Sequence, residues 1–202
     1  MPGAPIVYSP PAPTLGNVLV GTGICWTAPV GSSLPSDQNL GNATSWTGAG
    51  WTYVGATDQG VSVSYNPSTV DIRIEEQETP VQTIVDSATL QISFDISEET
   101  VAGINLAYGN GGTVAVTAAG AGQPGKTVLS LSTNFVQMAC ALLGKNAAGF
   151  PHILYVPAVM SAGTVATSYR RAAAQRMYPT TLNAVCAQSS IQFIDITSLA
   201  TS

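Results

Sequence analysis

The sequence predicts an all-β fold, a β-sandwich or barrel with one short flanking helix. Two observations carry this prediction. Apolar and polar residues alternate with a period of two through much of residues 61–96, which is the pattern of strands with one buried face. Turn-forming residues separate the alternating runs, as an antiparallel sheet requires.

The alternating runs predict an antiparallel meander. Each run places its apolar residues on one parity: Val61, Val63 and Tyr65; Val70, Ile72 and Ile74; and Leu90, Ile92, Phe94 and Ile96. Asn-Pro-Ser at 66–68 is predicted to turn the chain after the first run, and Gln-Glu-Thr-Pro at 77–80 after the second. We expect the apolar face to pack in the core and the polar face to point away from it.

The chain before the meander divides into three parts. Residues 1–17 contain five prolines and are expected to form an extended N-terminal arm, followed by a single domain at 18–202. A stretch rich in Gly, Ser, Pro, Asn and Asp at 27–49 is much longer than the usual connection of ~4–6 residues. We expect an ordered long loop, anchored by buried Trp46 and Trp51.

One helix is predicted after the meander. Ser97 is placed to cap its N-terminus, Glu98 and Glu99 lie at the positive end of the helix dipole, and glycines after Tyr108 end it. Strands are predicted outside the meander at 18–26, 113–117, 127–131, 150–159, 172–186 and 190–196. The pattern at 135–143 is ambiguous, and we favour a strand.

Composition excludes several classes of partner. A net charge of -5 and a pI of about 4.5 argue against stable nucleic-acid binding. The one basic cluster, at Arg170, Arg171 and Arg176, is interpreted as a solvated or interface strand. No apolar run approaches the ~20 residues of a membrane helix, and the first residues lack the basic region of a signal peptide. Charged residues make up only 8% of the chain, so we expect much of its surface to contact other protein.

No catalytic, metal or cofactor site is predicted. Cys25, Cys140 and Cys186 are odd in number and lie in apolar segments, which favours buried reduced thiols over a disulfide framework or a zinc site. His152, the one histidine of the chain, is expected to be a strand residue. Carboxylates cluster at 75–78 and 95–99, but a turn and a helix start explain them better than a glycosidase pair does.

Residues 120–127 match the phosphate-binding pattern G-x-x-x-x-G-K-[ST]. That loop binds phosphate at the start of a helix, whereas the residues from Val128 onward alternate as a strand. A hairpin loop is therefore favoured, and nucleotide binding is a remote alternative. Trp26, Trp46 and Trp51 leave a second alternative, a β-sandwich carbohydrate-binding or adhesin module with an aromatic platform.

Several short segments together carry a resemblance that covers most of the chain. They are residues 27–35 (TAPVGSSLP), the approach from Trp46 to Trp51, 53–61 (YVGATDQGV), 71–80, 97–100 (SEET), 178–184 (YPTTLNA) and 191–195. In this order they resemble the major tail tube proteins of long-tailed bacteriophages.

The resemblance implies a tail-tube-like β-sandwich with a flanking helix and no enzymatic activity or cofactor. It also implies homohexameric rings that stack into a tube around a tape-measure protein, with tail-end proteins as further partners. DNA would later pass through this conduit without sequence-specific binding. Such a protein is assembled in the host cytoplasm and resides in the tail of the virion.

Two sets of site residues follow from this role. The polar face of the meander is expected to line the lumen, where its acidic bias would repel phosphate: Ser62, Ser64, Asp71, Arg73, Glu75, Gln91, Ser93 and Asp95. The long loop and the N-terminal arm are expected to bridge stacked rings. The ring-stacking candidates in the loop are Leu34, Asp37, Asn39, Asn42 and Trp46.

Overall fold

A computed structural model describes residues 19–73, 75, 79–146, 149–167 and 177–196. In this part of the chain there are ten strands: β1 Leu19–Pro29, β2 Thr52–Tyr53, β3 Thr57–Ile72, β4 Gln82–Ile96, β5 Thr113–Thr117, β6 Lys126–Ser130, β7 Met138–Asn146, β8 Pro151–Ser161, β9 Tyr178–Ala184 and β10 Gln192–Asp195. The α-helices are α1 Ala43–Gly48 and α2 Val101–Ala107. The all-β prediction is confirmed.

Eight strands form one sheet, in the order β2-β1-β7-β8-β9-β4-β3, with β10 paired to β8. Every pairing in this sheet is antiparallel. Strands β5 and β6 form a separate two-stranded ribbon. The sheet curls until β3 approaches β1. A Cβ placed on Gly23 of β1 would lie 4.0 Å from the Val61 side chain of β3. The result is a barrel-like roll.

Two apolar cores fill the molecule. The first lies inside the roll, where Ile92 of β4, Val156 of β8 and Leu182 of β9 are completely buried and Leu106 of α2 packs with them. The second lies on the other face of β1, β7 and β8, where the segment between β1 and β2 covers the sheet. Strands β1, β7 and β8 are therefore buried on both faces.

The second core is built by the predicted long loop. Trp46 is 0% exposed and its Nε1 donates to the Leu40 carbonyl at 2.8 Å, while Trp51 donates to the Ser33 carbonyl at 2.9 Å. Trp46 also stacks on Trp26 with ring centroids 5.3 Å apart. The predicted anchoring role of the tryptophans is confirmed. Helix α1, inside this loop, was not predicted, because the surrounding Gly, Ser and Asn residues indicate loop structure locally.

The predicted turn at 66–68 is wrong. Strand β3 runs unbroken from Thr57 to Ile72, with Pro67 opposite Ala88 of β4. Proline lacks the N–H that a central strand would need, but β3 is an edge strand, where proline is tolerated. The predicted turn at 77–80 falls in the connection between β3 and β4, in which residues 76–78 lie outside the described residues.

The predicted helix exists, but its cap is a different residue. Thr100 is the N-cap of α2, and its side chain accepts from the Gly103 N–H at 3.0 Å. Ser97 donates to the Ala56 carbonyl instead, and Glu98 accepts from the Ala56 N–H. Ser97, the predicted cap, and Glu98 therefore hold the connection before β3.

The later strands largely follow the prediction. The ambiguous 135–143 segment is strand β7, and 113–117 coincides with β5. The predicted strand at 172–186 is described only from residue 177 onward. The N-terminal arm at 1–17 and Arg170, Arg171 and Arg176 lie outside the described residues, so the division into an arm and a single domain at 18–202 stays a prediction.

Candidate assembly surfaces

The distal halves of β3 and β4 form a projecting ribbon, called here the hairpin arm: residues 66–72 and 82–89. Among the described residues these two segments pair with each other and with no third strand, since β9 pairs with β4 over Gln91–Ile96. Every side chain of the arm is exposed except half-buried Ala88. An isolated two-stranded ribbon is marginally stable in water.

One face of the hairpin arm carries an apolar patch near its far end. Val70 stands opposite Ile84, with Ile72 beside them, and these side chains are 47%, 42% and 42% exposed. On the other face Thr83 donates to an Asp71 carboxylate oxygen at 2.7 Å. The predicted alternation is present, but the prediction that Val70 and Ile72 pack in the core is wrong, since the arm extends past the core.

The predicted lumen residues do not share one surface. Alternation along unbroken β3 places Asp71 on the face opposite Ser62 and Ser64. Arg73 and Glu75 follow the end of β3 and are exposed. The other five residues lie together across the β3–β4 pair, and we call them the polar strip: Ser62, Ser64, Gln91, Ser93 and Asp95.

The polar strip continues onto β9. Gln91 donates to the Asn183 side chain at 3.1 Å, and Thr181 stands opposite Ser93. At its other end Asp95 stands opposite Asp58 of β3. The charged side chains on and beside the polar strip, Asp95 and Asp58, are therefore both acidic.

A cleft of about 550 Å³, called here the end cleft, opens where β1 ends and β7 begins. Strand β2, helix α2 and the start of β5 complete its walls. Exposed apolar side chains line it: Val30 (53% exposed), Tyr53 (44%), Val114 (49%) and Val136 (45%). No lining residue is charged. Burial, and secondarily the Glu98 carboxylate, raises the pKa of Tyr53.

The ribbon of β5 and β6, one wall of the end cleft, is fixed to α2 at its base. The Gly112 N–H donates to Asn105 Oδ1 at 2.9 Å. A Cβ on Gly112 would lie 2.6 Å from the same oxygen, and one on Gly111 would overlap the Asn134 carbonyl. Only glycine allows this close approach.

The hairpin arm and the end cleft lie at opposite ends of the roll. Five successive antiparallel pairings make β3 antiparallel to β1, which it approaches at Val61 and Gly23. From that contact β1 runs forward to Pro29 at the cleft. Toward the other end, β1 extends only four residues from Gly23, back to Leu19. Strand β3 extends eleven residues from Val61 in that same direction, to Ile72. At ~3.3 Å per residue, the arm reaches roughly 20 Å past the start of β1.

The five ring-stacking candidates differ in how buried their side chains are. Asp37, Asn39 and Asn42 are exposed, and Leu34 is half-buried. Trp46 is completely enclosed in the second core of its own subunit. Its assignment as a contact between subunits is therefore wrong, because the side chain already anchors the loop.

The described residues do not form a phosphate-binding loop or an exposed aromatic platform, which nucleotide binding and carbohydrate binding would need. Residues 120–125 form the loop of the β5–β6 hairpin, and Lys126 pairs with Thr117 in a strand. No helix follows to bind phosphate. Trp26, Trp46 and Trp51 are at most 5% exposed and cannot stack on a sugar. His152 lies in β8, with Nδ1 3.5 Å from Asp195 Oδ1.

The cysteines are free, as predicted. Cys25 of β1 and Cys140 of β7 are buried with their Sγ atoms 3.7 Å apart, and Cys186 is half-buried. The hydrogen bond with Cys140, together with burial, raises the pKa of the Cys25 thiol. Both core thiols therefore act as small apolar groups.

The described residues form a β-rich subunit from which a two-stranded arm projects. The sequence matches the family described as Phage tail tube protein over residues 15–136, more than half of the 202 residues, and the chain belongs to this family. The predicted resemblance is confirmed. The protein is a structural component of a phage tail and not an enzyme.

No curated protein matches the sequence. Among solved structures, one chain of "Tail of empty GTA particle computed with helical refinement, C6 symmetry" is 9% identical with a TM-score of 0.37. That match covers 72% of this chain and 87% of the other. Neither described α-helix has the length and apolar character needed to cross a membrane.

Proposed function

We propose that copies of this chain assemble into six-membered rings that stack into the tail tube, the conduit for genome ejection. The observation that carries the proposal is the exposed apolar face of the hairpin arm in a member of the tail tube family. Six is the ring order that the sequence resemblance implies. Tape-measure and tail-end proteins would be the further partners, and assembly would take place in the host cytoplasm.

The isolated subunit gives a physical reason for assembly. Its arm exposes Val70, Ile72 and Ile84 on a ribbon whose outer edges pair with no further strand of the described residues. Such edges and apolar patches favour association with another chain. A repeated contact between copies would cover both, so the free energy gained by burial would favour the assembled tube.

The polar strip is the proposed wall of the channel. It is polar, lies away from the first core and has carboxylates at Asp58 and Asp95. Negative charge would repel DNA phosphates and keep the genome from binding to the wall. Asp71 lies on the opposite face of β3 and is left out of this proposed wall, while Arg73 and Glu75 stay candidates for the lumen.

The exposed part of the long loop is a second proposed contact between subunits. Asp37, Asn39 and Asn42 present polar groups on the outside of the second core. Because Trp46 and Trp51 hold this loop rigidly, its exposed residues would meet a neighbour with little loss of conformational entropy.

Sedimentation velocity of the purified full-length chain, without any ligand, tests the proposal. We expect large polymers from the native chain and small species from a Val70→Ser, Ile84→Ser variant with unchanged circular dichroism. Phe193→Ser, which changes another strongly exposed side chain, is the matched control and should still polymerise. A native chain that stays monomeric would contradict the proposal.

A further inference from the structure

We infer that the N-terminal segment of the chain folds back over its own subunit and covers an apolar groove at the end of the roll where β1 begins. The groove, called here the mouth groove, has a volume of about 320 Å³. Its occupant is residues 6–15, with Leu15 as the main anchor. The inference concerns a single subunit and does not depend on assembly of a tube.

The mouth groove is an opening into the first core. Its floor includes Leu142 and Leu154, which are buried members of that core. Val63 and Phe193 form its walls, and their side chains are 42% and 68% exposed. Phe193 stands opposite Leu154 in the β8–β10 pair, so both side chains lie on the same face of the sheet. An apolar cover would remove this surface from water.

The groove opens because β1 and β3 part at this end of the roll. They approach each other at Gly23 and Val61, which both line the groove. From Gly23 back to Leu19, β1 stays beside β7, whereas β3 continues into the hairpin arm. The chain that precedes Leu19 therefore enters β1 beside the groove.

The sequence before β1 suits a segment that turns back into the groove. Gly-Asn at 16–17 is a turn-forming pair. Leu15 lies four residues before Leu19, so at ~3.3 Å per residue it stays within roughly 13 Å of the start of β1. Ile6 and Val7 provide further apolar side chains along the segment.

The prolines of the segment favour an apolar groove with an aromatic wall. Residues 5–13 contain four prolines, none of which has an N–H that burial would leave without an acceptor. Proline-rich segments commonly bind in grooves lined by aromatic side chains, and Phe193 is such a side chain. Exposed Lys145 at the rim can donate to their carbonyl groups. Residues 1–18 contain no Asp, Glu, Lys or Arg, so no charged side chain would be buried.

The C-terminal residues 197–202 are the competing occupant. They follow β10 at the same end of the roll, because Asp195 stands opposite His152 near the start of β8. Leu199 is their one large apolar side chain, and four of the six residues are Ser or Thr. The N-terminal segment is longer and more apolar, which favours it as the cover.

Cross-linking within one chain tests the inference. Thr14→Cys is combined with Lys145→Cys at the groove rim, in a Val70→Ser, Ile84→Ser, Cys186→Ser chain treated with a short bismaleimide. We expect an intramolecular link, identified by mass spectrometry of the monomer band. It should form at least ten-fold faster than in the matched control, Thr14→Cys with Asp37→Cys, because docking raises the effective concentration of the two thiols. Asp37 is exposed on the long loop, away from the groove.

Three outcomes would overturn the inference. Equal rates for the two pairs would mean that the segment is a free tether. Linked dimers from a mixture of the Thr14→Cys and Lys145→Cys single variants would place the segment on another subunit. A fast link between Leu199→Cys and Lys145→Cys, without one from Thr14→Cys, would assign the groove to the C-terminal residues. None of these results bears on whether the native chain forms tubes, so sedimentation of that chain tests the proposed function separately.

A second variant tests the anchor itself. Leu15→Asp, added to the Thr14→Cys, Lys145→Cys chain, would place a carboxylate against the apolar floor and should lower the linking rate to that of the Asp37→Cys control. Circular dichroism should stay unchanged, because the strands do not depend on the cover. Leu199→Asp is the matched control and should keep the fast rate. An unchanged rate in the Leu15 variant would overturn the inference.

Discussion

Trp46 and Trp26 stack on each other in the second core, yet they differ in one respect. Trp46 Nε1 donates to the buried Leu40 carbonyl, whereas Trp26 Nε1 is buried and makes no hydrogen bond with the residues that the structure describes. Both rings bury comparable apolar surface. The pair therefore separates the effect of packing from the effect of a hydrogen bond.

Trp46→Phe is expected to lower the free energy of unfolding by about 1–3 kcal/mol more than Trp26→Phe does, because only the first leaves a buried carbonyl without its donor. Urea unfolding of the Val70→Ser, Ile84→Ser monomer background measures the difference. Equal losses for the two variants would show that the hydrogen bond to Leu40 contributes nothing.

Thiol reactivity should follow burial. Iodoacetamide is expected to label Cys186 in the native subunit, while Cys25 and Cys140 react only after unfolding, because they are buried and a raised pKa keeps the Cys25 thiol protonated. Mass spectrometry of peptides labelled with and without urea checks this. Rapid native labelling at Cys140 would contradict the described core.

Single buried residues could be predicted from the sequence where the side chain has few possible environments. Large aromatics in a loop of small polar residues have few positions other than a core, so Trp46 and Trp51 were identified. The cap of α2 was not, because Ser97 and Thr100 both suit an N-cap. The hydrogen bond of Ser97 to Ala56, 41 residues earlier, decides between them and depends on tertiary structure.

At the scale of elements, Gln188 holds the base of the hairpin arm. Its side chain accepts from the Tyr65 hydroxyl at 3.0 Å and donates to the Ala88 carbonyl at 3.0 Å. One side chain thus connects both strands where the arm leaves the sheet.

Gln188→Ala should loosen the arm without unfolding the subunit. Loss of two hydrogen bonds of about 1 kcal/mol each predicts amide exchange in residues 82–89 faster by roughly ten-fold or more. Ser189→Ala, the neighbouring exposed position, is the control. Unchanged exchange in the Gln188 variant would mean that the arm is held by its own pairing alone.

The strands of the arm show why a local pattern did not give the architecture. The alternation of Val70 and Ile72 was visible, but alternation indicates two different faces and not which face is buried. Asn-Pro-Ser has the composition of a turn, yet at the edge of a sheet Pro67 costs no ladder bond. Edge position is a property of the whole sheet.

At the scale of the molecule, the curl of one sheet places the arm and the end cleft at opposite ends and leaves the polar strip on an outer face. None of this arrangement follows from a single segment, because it depends on the pairing order of strands far apart in sequence. Scarcity of charge did indicate a protein that contacts other protein. The family match now supports that interpretation.

The channel assignment predicts an effect of charge on genome passage. Asp95→Lys with Ser93→Lys should leave tube assembly intact and slow DNA ejection several-fold, because the wall would then attract phosphate. Asp37→Lys, on the exposed loop, is the matched control for charge. Ejection rates measured at low and high salt check this, and an unchanged rate would remove the polar strip from the channel.

Electron microscopy of the purified chain without ligand would show whether it forms a tube. We expect rings with six-fold symmetry stacked into hollow tubes, with the polar strip facing the channel in a reconstruction. Dispersed monomers at concentrations where family members polymerise, or aggregates without rotational symmetry, would contradict it.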